Sequence, residues 1–184
     1  MIKSKNDLKL YLQKDKEANL KNTTILKYYG YRLFNMDAYR AYRLLRTLRF
    51  YEYHLNTKSN ILLRLFWQLK FCRLKAKYNI QIGPNMLGPG FWLPHTIGGG
   101  IIINCTSMGD NCNTNVGVVI GNSNFSQDNR PVIGNNVTFC VGSKAYGKIT
   151  IGNNVVVLPN SVVISNIPDN SLVAGNPAKV IKKI

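Results

Sequence analysis

The chain has 184 residues and a formal net charge of +16, from 24 Lys and Arg against 8 Asp and Glu. That length allows one helical region and one repeat domain. The four cysteines (Cys72, Cys105, Cys112 and Cys140) form no C-x-x-C pair, which argues against a zinc or disulfide framework and for reduced thiols in a cytoplasmic protein. The charge is uneven: residues 1–80 carry 18 basic and 5 acidic side chains, and residues 81–184 carry 6 and 3. A basic half of that strength expects an anionic partner, and the lack of any nucleic-acid motif argues against DNA or RNA.

In chain order, residues 1–20 predict a Lys-rich helix with Leu8, Leu12 and Leu20 on a sparse apolar face, and they read as helix rather than as a secretory leader. Thr23 or Thr24 is the expected cap of the next helix. Residues 24–55 alternate aromatic and basic side chains. Arg43, Arg46 and Arg49 recur every third residue, as a basic stripe that drifts slowly around the helix beside Tyr42, Leu45, Leu48 and Tyr51. A polar break at 56–60 precedes a second amphipathic basic helix over 61–79. Its most apolar run, Ile61 to Phe71, is interrupted by Arg64 and Lys70 and is too short to span a bilayer.

From Ile82 onward the pattern changes. Ile133, Phe139, Ala145, Ile151, Val157 and Val163 recur every six residues. A second series, offset by four, reads Val137, Ser143, Ile149, Val155, Ser161 and Ile167. The string Ile-Gly-Asn-Asn-Val stands at 133–137 and again at 151–155, three such units apart. Self-similarity at this period predicts a solenoid of three short flat strands per coil, with Gly and Asn at left-handed corners. A sandwich would need longer units joined by hairpin turns. Two segments break the rhythm: a Gly-rich stretch at 86–100, carrying His95, and residues 123–131. Insertions in solenoids mark the binding face.

The repeat, together with Ile82-Gly83-Pro84, Leu93-Pro94-His95, the run from Gly109 to Gly121 and the ending from Val173 to Ile181, resembles the hexapeptide-repeat acyltransferases. The resemblance covers residues 80–184. It is nearest to the serine O-acetyltransferases and the O-acetyltransferases of surface-polysaccharide clusters. It implies a mainly β fold, a left-handed parallel β-helix after an N-terminal α-helical region, with residues 1–79 and 80–184 as the two parts. The hand comes from the resemblance, since the usual rule for parallel crossovers points to the right. The resemblance also implies a homotrimer with its sites between subunits, acetyl-CoA as co-substrate, and no metal.

Acyl transfer from a thioester to a hydroxyl needs a base for the alcohol proton, a donor for the oxyanion and a way out for the thiolate. Histidine suits the first role because its ordinary pKa lies near neutrality. Of the two histidines, His54 sits in the helical region and reads as structural or exposed, whereas His95 matches the family's catalytic base. The family's neighbouring carboxylates are missing. Pro94 stands where an Asp precedes the histidine, and Gln81 stands where an Asp orients it, so Gln81 becomes the expected orienting residue. The protruding loop offers Asn129-Arg130 in place of an Arg-His pair. Asn115, Asp128 and Arg130 are the expected acceptor contacts. Gly142, Ser143, Ala145, Gly175 and Lys179 are the expected CoA contacts.

These departures lead to the expectation of a sugar hydroxyl as acceptor, in capsular or O-antigen polysaccharide synthesis. The second reading is serine O-acetyltransferase, feeding cysteine synthesis. The third is a non-catalytic scaffold that docks through its basic helices. In each case the aromatic and basic N-terminal region is expected to make peripheral contact with the inner face of the cytoplasmic membrane.

Overall fold

The computed structural model describes all residues except 22, 58 and 124–127. Four helices come first: α1 (Lys5–Asn19), α2 (Ile25–Leu33), α3 (Asp37–Asn56) and α4 (Ile61–Tyr78). Helix α1 opens on a capping box, with the Ser4 hydroxyl accepting from the Asp7 amide and the Asp7 carboxylate accepting from the Ser4 amide. Thr24 caps α2. The aromatic and basic stretch is two helices, because Asn35 adopts a left-handed conformation between them. Helices α3 and α4 form a hairpin in which Phe50 stacks on Trp67 at 4.6 Å. Asn79, left-handed at φ 51°, caps α4 and turns the chain into the first coil.

The rest is a left-handed parallel β-helix with three faces. The first face stacks β1 (Ile80–Ile82), β2 (Ile101–Ile103), β5 (Val119–Gly121), β8 (Lys144–Tyr146) and β11 (Val162–Val163). The second stacks β3 (Ser107–Met108), β6 (Val132–Ile133) and β9 (Thr150–Ile151). The third stacks β4 (Asn113–Thr114), β7 (Thr138–Phe139), β10 (Val156–Val157) and β12 (Ser171–Gly175), closed by the antiparallel β13 (Ala178–Lys183). Val132 pairs with Thr150, Thr138 with Val156 and Lys144 with Val162, so each coil advances eighteen residues where no insertion intervenes. Every member of both six-residue series is buried. The core runs unbroken from Leu44, Leu48 and Phe71 of the helices into these coils.

The repeated Gly-Asn-Asn strings form the edge between the second and third faces. Asn111, Asn136, Asn154 and Asn170 are all left-handed there. Their side chains bond in a ladder, Asn136 to Asn154 at 2.9 Å and Asn154 to Asn170 at 2.8 Å. Asn tolerates this backbone region and its amide serves as both donor and acceptor, so one residue type satisfies both demands of the corner.

The helices are fixed to the first coils by a buried ionic cluster. Arg49, the last member of the drifting basic stripe, is fully buried. Its Nε bonds Asp15 at 2.8 Å, and its Nη1 bonds Glu52 at 3.0 Å and the Leu87 carbonyl at 2.9 Å. Its Nη2 bonds the Gly88 carbonyl at 2.7 Å. Burial works against the guanidinium charge, but Asp15 and Glu52 outweigh it and hold its pKa above the ordinary arginine value. The carboxylates are satisfied in turn: Asp15 accepts from the Gly90 and Phe91 amides, and Glu52 from the Asn85 amide. Arg49→Met should therefore strand two buried carboxylates and lower the unfolding free energy by about 3–5 kcal/mol, measured by urea denaturation. A loss under about 1 kcal/mol, the range of an exposed pair, would contradict the cluster's role.

Candidate active site

His95 lies in the insertion at 94–100, which leaves the edge between the third and first faces in the first coil. Its side chain is 60% exposed, and its Nδ1 lies 3.9 Å from Oδ2 of Asp37. Asp37 is the first residue of α3, and its other oxygen accepts from the Thr96 amide at 3.1 Å and the Thr96 hydroxyl at 2.6 Å. One carboxylate thus anchors the residue after the histidine and faces the imidazole. A carboxylate opposite Nδ1 favours the tautomer with the proton on Nδ1, which leaves the Nε2 lone pair available as a base. The gap is longer than a hydrogen bond, as is common before substrate closes a site.

Gln81, expected to orient His95, stands exposed on β1, and its side chain makes no hydrogen bond among the described residues. The group opposite Nδ1 comes instead from the helical region, far away in sequence. One signal was available. Residues 24–55 hold only two acids, Asp37 and Glu52, and both turn out to be engaged at the junction with the coils.

The same edge is a ladder of left-handed residues, with Asn79 before His95 and Gly100, Gly117, Gly142 and Asn160 after it. The Gly117 amide bonds the Gly99 carbonyl at 3.4 Å and the Gly142 amide bonds the Val116 carbonyl at 2.9 Å. A Cβ on Gly142 would collide with the Asn160 side chain, so this corner needs glycine on packing as well as on φ. Asn115 and Gly142 occupy successive corners of this edge. Coils stack at about 4.8 Å, which puts the Gly142 corner about 10 Å from the histidine insertion. Gly175 joins the far end, its amide bonding the Ser161 hydroxyl at 3.2 Å. Ser143 and Ala145 point inward and are buried, with the Ser143 hydroxyl bonded to the Cys140 carbonyl, so only their backbone can meet a ligand. Lys179 is exposed on β13.

Asp128 and Arg130 lie on a different edge, between the first and second faces. The chain returns there through Pro131, whose carbonyl accepts from the Thr106 amide at 2.8 Å. A single chain therefore does not bring this loop beside His95. Residues 124–127 of the expected acceptor loop lie outside the described residues. His54 bonds the Ser59 hydroxyl at 2.6 Å, and burial lowers its pKa. Cys105 and Cys112 are buried inside the coils, where burial pushes their thiols up to about 12 and about 11.

No protein-family model matches the chain. A serine acetyltransferase of Helicobacter pylori is 30% identical over 188 residues, covering all of this chain and 99% of that protein. The chain belongs to the serine acetyltransferase family. A Buchnera aphidicola serine acetyltransferase is 31% identical over 97% of this chain, which spans only 63% of that longer relative. The serine acetyltransferase structure from Neisseria gonorrhoeae shares the fold, with a TM-score of 0.75 and 23% identity over 98% of this chain and 68% of that one. The Brucella abortus enzyme, solved in complex with coenzyme A, has a TM-score of 0.70 and 21% identity over 97% of this chain and 67% of that one.

These relatives overturn the expectation of a surface-polysaccharide acceptor. That expectation rested partly on carboxylates missing beside His95 in sequence and partly on the histidine missing from the protruding loop at Asn129-Arg130. Asp37 places a carboxylate there in space, so the missing local residues carry less weight than they were given. Asp37→Asn keeps an oxygen for Thr96 but removes the charge facing Nδ1. It should lower kcat about ten- to a hundredfold, as the loss of a partner that orients histidine does elsewhere, with the KM for acetyl-CoA nearly unchanged. Steady-state kinetics check this, and an unaltered kcat would contradict the pairing.

Proposed function

We propose that the protein transfers the acetyl group of acetyl-CoA to the hydroxyl of L-serine, giving O-acetylserine and free CoA. The observation that carries this reading is membership of the serine acetyltransferase family along the full chain, with His95 at the break in the coils. In the proposed mechanism, Nε2 of His95 takes the hydroxyl proton as the serine oxygen attacks the thioester carbon. The C–S bond then breaks, and the imidazolium returns the proton to the departing thiolate. The glycine corners leave backbone groups accessible for the pantetheine arm along the edge above His95, and Lys179 lies near the end where phosphates would sit.

The site needs a second wall, because a base 60% open to water in one chain cannot exclude hydrolysis. Ile97 and Val141 expose apolar side chains on the same edge, which suits a neighbouring prism. The proposal is a homotrimer in which the loop at 123–131 of one copy, with Asp128 and Arg130, reaches the edge that carries His95 in the next. Asn115, one coil above His95, completes the acceptor side.

CoA release should depend on L-serine, and His95→Ala should reduce it by about a hundred- to ten-thousand-fold while the melting temperature stays the same. A thiol assay with L-serine and purified protein checks both. A variant keeping more than half of the wild-type kcat would remove His95 from the mechanism, and no serine-dependent release by the wild type would remove serine. Arg130→Ala should raise the KM for serine more than that for acetyl-CoA.

A further inference from the structure

We propose that the outer side of the helical region binds the phosphate of an anionic membrane lipid, in a pocket between α2, α3 and α4. The pocket has a volume of about 490 Å3, and five cations line it: Arg32, Arg43, Arg46, Lys70 and Lys77. None of the five has an ion-pair partner among the described residues. Neither α2 nor α4 contains an Asp or Glu. Aromatic rings hold two of the heads in place, with Lys70 Nζ 4.7 Å from the Trp67 centroid and the Arg46 guanidinium 5.5 Å from that of Phe50. Unpaired cations gathered in one concavity repel each other, and the chemistry that relieves this is a phosphate.

The pocket is separate from the acetyl-transfer site. At 100° per residue, Tyr39, Arg43 and Arg46 fall on one side of α3. Ala41, Leu44 and Leu48, buried against the coils, fall on the other, together with Asp37.

What lies beside the pocket distinguishes a lipid from a soluble phosphate. A second groove of about 380 Å3 shares Arg43 and Lys70 with it and continues over Phe66, Leu69 and Leu74. Along α4 the same face leaves Leu62, Phe66 and Leu69 exposed. An apolar surface of this extent, rimmed by cations, matches an amphiphile with an anionic head. A second copy of the chain fits poorly, because it would set the seven cations of α2 and α4 against seven more with no countercharge. No described helix is long and apolar enough to cross a membrane, and the proposed contact is peripheral.

The test is co-sedimentation of the full chain with vesicles of equal parts phosphatidylglycerol and phosphatidylcholine, against phosphatidylcholine alone. Binding is expected to the anionic vesicles at low salt. R43A/R46A/K70A should weaken partitioning about a hundredfold, each cation near an anionic surface adding to adsorption. K3A/K5A/K9A, which removes the same charge from exposed positions in and before α1, should weaken it far less. L62S/F66S/L69S, at unchanged charge, should also release the protein. Circular dichroism melts confirm that each variant is folded. Equal losses from the two charge-matched variants would overturn the pocket. Failure of the wild type to pellet with anionic vesicles would overturn the proposal, and so would titration by inorganic pyrophosphate or polyuridylate without vesicle binding.

Discussion

The geometry at His95 depends on one buried guanidinium. Arg49 bonds two carboxylates and the carbonyls of Leu87 and Gly88, so α1, α3 and the first coil meet at a single point. The cluster carries one negative charge in excess, and the amides of Asn85, Gly90 and Phe91 turn toward it. A few residues on, the Asn19 amide donates to the Phe91 carbonyl at 2.8 Å and accepts from the Leu93 amide at 3.0 Å. Asp37 then takes the Thr96 amide and hydroxyl. The helical region thus grips the segment at 87, 88, 90, 91, 93 and 96. Buried ionic clusters are poor sources of net stability; what this one provides is the path of the chain on which the proposed base sits.

The coils above supply the complementary property, which is regularity. A solenoid repeats one unit, and identical corners cannot by themselves create a distinct site. Chemistry has to enter where the period fails. It fails at 94–100 and at 123–131, on two different edges. In the proposed trimer, a prism with its proposed base on one edge and its polar residues Asp128 and Arg130 on another would be completed by a copy of itself. The left-handed glycines above His95 strengthen this arrangement, because a corner without Cβ atoms lets another molecule approach the backbone closely.

The coils were legible in the sequence because their determinants are local. Each sixth residue faces the core whatever the rest of the chain does, and each left-handed corner selects Asn or Gly within two positions of a strand. The inward series from Ile133 to Val163 and the Asn136–Asn154 ladder follow directly from that. The carboxylate at His95 was not legible, because a helix start far upstream supplies it and local spacing cannot report a tertiary contact. Reading Gln81 and Pro94 as lost carboxylates, together with the loop histidine missing at Asn129-Arg130, led to the sugar acceptor that the relatives overturn. Arg49 failed for a related reason. Its spacing from Arg43 and Arg46 gives a stripe that drifts around the helix, but spacing does not report which member of the stripe meets a partner from another helix. By position 49 it has turned toward α1, where Asp15 is waiting.

That drift divides the basic charge of α3 into two populations with different physics. Arg49 is desolvated, paired and unable to meet a ligand. Arg43 and Arg46 stay on the outer side with Lys70 and Lys77 of α4, unpaired among the described residues. Net charge alone cannot separate the two, since both count equally toward the +16. Salt separates them: screening by ions acts on the outer group and hardly reaches the buried cluster. One helix can therefore hold the segment of the proposed base on its inner side and keep the proposed, salt-sensitive anion surface on its outer side, with little electrostatic crosstalk between them.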